Sequence, residues 1–305
     1  MKVWKPSLRP VLSQKHTNSA RRSLLFVPAT TPERFDKAVR SGADIICLEL
    51  EDAVPPDAKA TARAAAFSWL SQASHLADYG TELAIRINGL SSDEGAADLD
   101  LMLSQSLPLD LMVIPKVEDA DSLARLSERL DKAGSDIQLI IMIETVRGLY
   151  NLPQTACATS RVTALMFGGV DLAGELRSAL SWEPLLYARS QLVQAGRYAG
   201  LDILDMPSLV VDPEDEVMSE SLAAQALGFD GKACIHPRQL APVHQAFTPD
   251  DAAVAEAEQI VAAYKKAGGG VALHKGRLVE LPVMVQARLC LERRALADRK
   301  QRLST

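Results

Sequence analysis

Eight short runs of apolar, largely β-branched residues punctuate the chain: SLLFVP (23–28), DIICLELED (44–52), ELAIRIN (82–88), LMVIPK (111–116), QLIIMIE (138–144), ALMFGG (164–169), LDILDMP (201–207) and KACIHP (232–237). Apolar positions within them are near-continuous, the pattern of strands buried on both faces. Between them, Ala, Leu, Arg and Glu recur in amphipathic order at 57–77, 118–134, 184–199 and 213–227, which predicts helices. Every interval leaves room for the crossover helix that parallel strands require. Strands alternating with helices predict a parallel sheet covered on both sides, and eight of them predict an α/β fold closed into a (β/α)8 TIM barrel over 22–267. An open doubly wound sheet is the competing arrangement, but no G-x-G-x-x-G follows the first run. The triplet GGG at 268–270 ends the barrel portion. An Arg-rich helical pattern at 283–299 then predicts an appended C-terminal helical segment within 268–305.

Composition narrows the function classes. The chain has 305 residues, enough for one large barrel core, and a net charge of −6 with Lys and Arg scattered. Nucleic-acid binding therefore has no electrostatic footprint. No apolar run approaches the ~20 residues that span a bilayer. Residues 1–21 are basic and polar without an apolar signal core, and read as a flexible extension. Cys47, Cys157, Cys234 and Cys290 form no C-x-x-C pair, so free thiols in a reducing, cytoplasmic setting are expected.

In such barrels the chemistry lies at the carboxyl ends of the strands. Those ends carry Glu51 and Asp52, Arg86 and Asn88, Lys116, Glu144, Asp171 just past the sixth run, and His236. A lone acid or base at a strand end is commonly a helix cap or a salt bridge, but several together point to a site. Glu144 and Asp171 follow neighbouring strands, whose ends lie only ~5 Å apart. Two carboxylates that close repel unless a cation lies between them, and oxygen-only ligation favours Mg²⁺, with Mn²⁺ as a substitute. The plainer role for Asp171 is an N-cap of the helix LAGELRSAL. Zinc is disfavoured, because the five histidines show no ligand spacing. Arg86, inside an apolar strand, has the planar fork that suits a carboxylate, whether a substrate's or that of Glu49, Glu51 or Asp52.

RRSLLFVPATTPERFDKAVRSGADIICLELEDAVPPDAKATAR resembles the opening of the citrate lyase beta-subunit family, CoA-thioester carbon–carbon lyases of the HpcH/HpaI aldolase superfamily. IRIN, VIPKVE, MIET with the following Gly148, FGGVDLAGEL and GFDGKACIHPRQL extend the resemblance from about residue 22 to about 290. It implies a Mg²⁺-dependent barrel, a homotrimer or hexamer, that splits or forms 3-hydroxy-acyl-CoA thioesters with acetyl-CoA as one product. Its metal ligands fall on Glu144 and Asp171, its substrate-carboxylate arginine on Arg86, and the acid of its L-E-D-A-V motif on Asp52. Its CoA-facing basic residues fall on Lys59 and Arg63. The chain departs from the family twice: LELED replaces L-D-L-E-D, and GRLVELP replaces G-x-x-[IV]-D-x-P, which sets Glu280 where the family has a catalytic aspartate. The catalytic base is then Asp52 or Glu280. The resemblance further implies a tail that closes a neighbouring subunit's site. Within the family the chain is most similar to the citramalyl-CoA lyases of itaconate breakdown, which release acetyl-CoA and pyruvate; malyl-CoA and citryl-CoA are the competing substrates. Rival readings are a class II aldolase of free hydroxy-oxo acids, a Schiff-base aldolase through Lys116, and a non-catalytic acyl-CoA-binding scaffold.

Overall fold

An alternation hidden inside the apolar runs decides what the barrel encloses. The strands are β1 (Ser23–Pro28), β2 (Ile45–Glu49), β3 (Glu82–Arg86), β4 (Leu111–Ile114), β5 (Gln138–Ile143), β6 (Val162–Phe167), β7 (Asp202–Asp205) and β8 (Gly231–Cys234). In the computed structural model, which describes residues 20–73, 80–212 and 214–303, they pair in parallel in chain order and β8 closes onto β1. Leu24, Ile45, Cys47, Ala84, Leu111, Val113, Ile140, Met142, Ala164, Met166, Leu204 and Ala233 form one buried cluster, the barrel interior. Their neighbours of opposite parity, such as Ile46, Leu48, Ile85, Ile141, Leu165 and Ile203, belong to a second cluster under the helices. Both faces are dry, so the runs look continuous in sequence although successive residues point opposite ways.

The helices follow where the amphipathic stretches predict them. They are α1 (Phe35–Val39), α2 (Lys59–Gln72), α3 (Asp93–Leu103), α4 (Ala120–Lys132), α5 (Val146–Tyr150), α6 (Leu152–Ala156), α7 (Gly169–Leu176), α8 (Trp182–Ala199), α9 (Glu214–Leu227) and α10 (Leu240–Phe247). Side-chain N-caps start three of them: Ser92 accepts from the N–H of Gly95, Asp119 from that of Ser122 and Thr145 from that of Gly148. Residues 1–19 of the expected extension lie outside the described residues. Ala20 and Arg21 are buried, and Arg21 bonds both Glu82 carboxylate oxygens at 2.8 Å beneath the barrel.

Beyond the barrel, α11 (Asp251–Lys266) leads to an antiparallel hairpin of β9 (Ala272–His274) and β10 (Arg277–Val279), and α12 (Leu281–Leu303) returns along α11. The far end of α12 is anchored at the amino end of the barrel: Arg293 pairs with Asp230 at 2.6 Å, and Lys300 Nζ donates to the Gly80 carbonyl at 2.8 Å. The hairpin therefore stands a helix length, ~24 Å for sixteen residues, from the start of α11. Cys47 and Cys234 are buried and Cys157 is exposed; all four thiols are free.

Candidate active site

Extending the interior alternation past the last apolar layer reaches polar side chains on three strands. On β2 the inward series Ile45, Cys47 continues to Glu49 and Glu51; on β3 Ala84 continues to Arg86; on β5 Met142 continues to Glu144. All four polar residues are buried. They meet at the carboxyl mouth of the barrel, around a cavity of ≈ 320 Å³ that Glu49, Asp52, Arg86, Glu144 and Asp171 line. Its other walls are apolar: Phe26, Met142, Met166, Met206 and Ile235. On the remaining strands the same inward positions stay apolar, so the site is polar on one side and greasy on the other.

Arg86 is gripped from below. Its Nε is paired with Glu49 Oε2, and its Nη1 lies 3.0 Å from Glu51 Oε2 and 3.6 Å from Asp52 Oδ2. The Glu51 contact is an ion pair without hydrogen-bond geometry, since Glu51 Oε2 has no hydrogen-bond partner. The guanidinium also sits 4.9 Å from the Phe26 ring centroid. Burial works against its charge, but Glu49, Glu51 and Asp52 more than offset that and hold it protonated far above any working pH. Nη2 makes no hydrogen bond among the described residues, which leaves its donors for a ligand. The internal ion pair and the substrate-carboxylate role are thus compatible. Arg86→Lys, which replaces a fork by a point charge, is expected to weaken pyruvate binding roughly tenfold or more while acetyl-CoA affinity changes little, as calorimetry would show. Equal weakening of both, with a lower melting temperature, would assign Arg86 to the internal pair alone.

Glu144 is fixed through one oxygen and free at the other. The backbone N–H of Lys116 donates to its Oε1 at 2.8 Å. Its other edge faces Gly168, where a Cβ would stand 2.2 Å from Glu144 Cβ and 2.5 Å from Oε2, so only glycine permits this approach. Burial first, and then the Glu51 charge, push the Glu144 carboxyl up to about 7. Burial likewise lifts Glu49 to about 7 against the pull of Arg86. Asp171 lies in the first turn of α7 and makes no cap bond, so it is not an N-cap; it is half-exposed toward the cavity, 3.5 Å from Lys116 Nζ.

Five carboxylates therefore face the cations Arg86 and Lys116 in one small space. The excess negative charge and the all-oxygen donor set fit a hard divalent ion between Glu144 and Asp171. Among the described residues no group of three or more His, Cys, Asp or Glu side chains is arranged to hold a metal. Mg²⁺ tolerates this, because it keeps several waters and takes oxygens from a substrate.

Other sequence candidates are placed elsewhere. Lys59 Nζ donates to the carbonyls of Leu50 at 2.8 Å and Glu51 at 2.6 Å, tying down the loop that carries Glu51 and Asp52. Arg63 pairs with Glu94 and with Asp98, which also accepts from the Asn88 N–H at 2.8 Å. Neither cation lines the cavity; both are engaged in holding the β2 and β3 loops. His236 caps the turn Pro237–Gln239, leaving Ile235 to face the cavity. Glu280 is exposed and does not line this chain's cavity. Lys116 is held protonated: burial lowers its pKa, but Glu51, Asp52 and Glu144 raise it well above the usual lysine value. A Schiff-base lysine needs the opposite shift. Glu51 is among the ionisable strand ends; Glu49 is the site residue that the strand ends alone do not indicate, and the alternation from Ile45 through Cys47 points at it.

A model of the HpcH/HpaI aldolase/citrate lyase family matches residues 22–237. The L-malyl-CoA/beta-methylmalyl-CoA lyase of Rhodobacter capsulatus is 33% identical over 90% of this chain and 95% of its own length. The mitochondrial citramalyl-CoA lyase of Rattus norvegicus is 31% identical over 93% of this chain and 88% of its own. The crystal structure of CitE from Mycobacterium tuberculosis with magnesium, acetoacetate and coenzyme A superposes with a TM-score of 0.76 at 27% identity, over 92% of this chain and 100% of that one.

Proposed function

The chain belongs to the HpcH/HpaI aldolase/citrate lyase family of carbon–carbon lyases, and on that premise we propose that it is a Mg²⁺-dependent lyase that cleaves (S)-citramalyl-CoA to acetyl-CoA and pyruvate. The observation that carries this reading is the pairing of Glu144 and Asp171, at adjacent strand ends, with the free edge of Arg86 in one cavity.

Mg²⁺, or Mn²⁺ in its place, held by Glu144 and Asp171 would supply positive charge to the oxygen that becomes the keto group of the product. Arg86, already fixed through Nε and Nη1, offers Nη2 to the carboxylate of the oxo-acid half. A carboxylate base takes the proton of the 3-hydroxyl; Asp52, exposed at the mouth, and Glu280, delivered from a neighbouring subunit, are the two candidates. The oxygen's electron pair forms the new C=O, the C2–C3 bond breaks, and its electrons pass to the thioester half as an enolate. Protonation at C2 releases acetyl-CoA. The cavity takes only the acyl head, so the long CoA arm lies outside it.

The apolar wall supports the choice of substrate. Phe26, Met166, Met206 and Ile235 suit the methyl of a pyruvate-derived half. The corresponding group of a citryl half is a second carboxymethyl, whose charge would be buried against that apolar wall without a partner. A malyl half leaves the methyl's volume unfilled. The relatives named as malyl-CoA and citramalyl-CoA lyases, and the neighbour solved with magnesium and coenzyme A, support the reaction class. The reading includes a cytoplasmic homotrimer or hexamer acting in itaconate breakdown. Among the described residues no helix is long and apolar enough to cross a membrane.

Acetyl-CoA release from citramalyl-, malyl- and citryl-CoA, each with and without EDTA, tests the proposal. Citramalyl-CoA should have the highest kcat/KM, about tenfold above malyl-CoA, the worth of one methyl in an apolar pocket. EDTA should stop all turnover. A malyl-CoA preference would overturn the substrate assignment, and turnover of a free hydroxy-oxo acid in place of the thioesters would favour the aldolase rival. No turnover of any of these would favour the scaffold reading.

A further inference from the structure

Lys116 has φ +51°, in the left-handed region that a residue bearing a Cβ adopts at a cost. Two contacts come with that conformation. The backbone N–H meets Glu144 Oε1 at 2.8 Å, and the side chain turns to place Nζ against Glu51 Oε1, 3.6 Å from Asp52 and 3.5 Å from Asp171. One residue thus holds carboxylates that follow three strands, β2, β5 and β6, the last of them in the first turn of α7. The ammonium is only partly exposed, and its nearest partner Glu51 is buried.

We infer that Lys116 is a resident counter-cation that holds the carboxylate mouth together without metal and competes with the divalent ion for Asp171. The inference rests on the metal reading of Glu144 and Asp171. An ammonium within 3.5 Å of Asp171 shares the charge that a metal would use, and the two cations repel one another. Lys116 therefore lowers metal affinity while it stabilises the metal-free protein. Only the side chain carries the competition; the N–H that positions Glu144 survives replacement of the side chain. Lys116 is thus a positioning residue through its backbone and a charge competitor through its ammonium.

Calorimetric titration of the chelator-stripped protein with MgCl₂, at low and high ionic strength, tests this together with thermal melts with and without Mg²⁺. Lys116→Met should bind Mg²⁺ about tenfold more tightly than the parent, with the gap narrowing as salt rises. The same variant should melt lower than the parent without Mg²⁺, because Glu51 loses one of its two cations and keeps only Arg86, and should gain more from Mg²⁺. Lys116→Arg, which keeps the charge, should retain parental affinity. Lys116→Gln removes the charge but keeps a donor for Glu51, and carries the same affinity prediction should the methionine variant fail to fold. Unchanged or weaker Mg²⁺ binding in the uncharged variants, with the parent binding normally, would overturn the Lys116 assignment alone. A parent that binds no Mg²⁺ would overturn the metal reading, and this inference with it.

Discussion

Glu144→Gln is expected to lower turnover by at least ~10²-fold, the scale on which loss of one charge-stabilising group at a reacting oxygen is felt, while the protein folds as the parent does. The amide is nearly isosteric with the carboxyl, and its oxygen still accepts the Lys116 N–H that now reaches Glu144 Oε1. What changes is the edge facing Gly168, where an acceptor becomes a donor and a formal charge disappears. Stability should move the other way. The Glu144 carboxyl is pushed up to about 7 by burial and by Glu51, so the folded state disfavours its charged form relative to the unfolded chain. That cost is absent at low pH, grows as pH rises from the ordinary glutamate value toward about 7, and persists above it. A neutral glutamine never incurs it. In EDTA at pH 8 the variant should therefore melt at or above the parent's temperature, although it is nearly inactive. Acetyl-CoA release and differential scanning calorimetry on the same preparation check both halves. Near-full turnover would remove Glu144 from the reaction, and loss of activity with a lower melting temperature would reduce it to a structural residue.

The contrast between a dead site and an intact fold reflects how separately the two were encoded. Barrel closure was legible because both parities of each run, such as Ile45 and Ile46, are apolar, and because the intervals admit helices. The cavity's lining was legible where an ionisable residue ended or interrupted an apolar run, as with Glu144 and Arg86. Glu49 was harder to recognise as a site member, since in sequence it looks like part of the polar close of a strand. Only the inward parity of Ile45 and Cys47 tells that it points into the barrel rather than to solvent. Lys59 and Arg63 have intramolecular partners that their place in the sequence does not announce. A basic residue early in α2 can face a ligand or fold back onto carbonyls, and the choice depends on where the Leu50–Glu51 backbone and Asp98 lie. Those partners come from other parts of the chain, so spacing within α2 holds no record of them. The bridging by Lys116 was illegible for the same reason, since it joins carboxylates that are 65 and 55 residues away in the chain.

The largest effect outside the barrel is expected at Glu280. It follows the buried Val279 and precedes α12, beside a hairpin whose Val271, Leu273 and Leu278 are exposed. Of the segment's apolar positions, Val279 and Met284 are already buried against this chain, so the tail is held by its own subunit at the base and presents its tip outward. An acid there can serve catalysis only where a cavity comes to it, and this chain's cavity is not lined by it. We therefore expect Glu280 to act in a neighbouring subunit's site. Glu280→Gln should cut turnover on the order of 10²-fold, as misplacing or losing a reacting group does, without altering the melting temperature. Glu280→Asp, one methylene shorter, should retain part of the activity. Mixing Glu144→Gln and Glu280→Gln subunits under conditions of exchange gives the decisive readout. If each site combines one subunit's metal pair with its neighbour's tail, random assortment in a closed ring leaves about a quarter of the sites with both intact. Activity should then return to about that fraction of the parent's, from two preparations that are each nearly dead. Exchange demonstrated by mass spectrometry without any recovery would place Glu280 outside trans catalysis and leave Asp52, 3.6 Å from both Arg86 and Lys116, as the base.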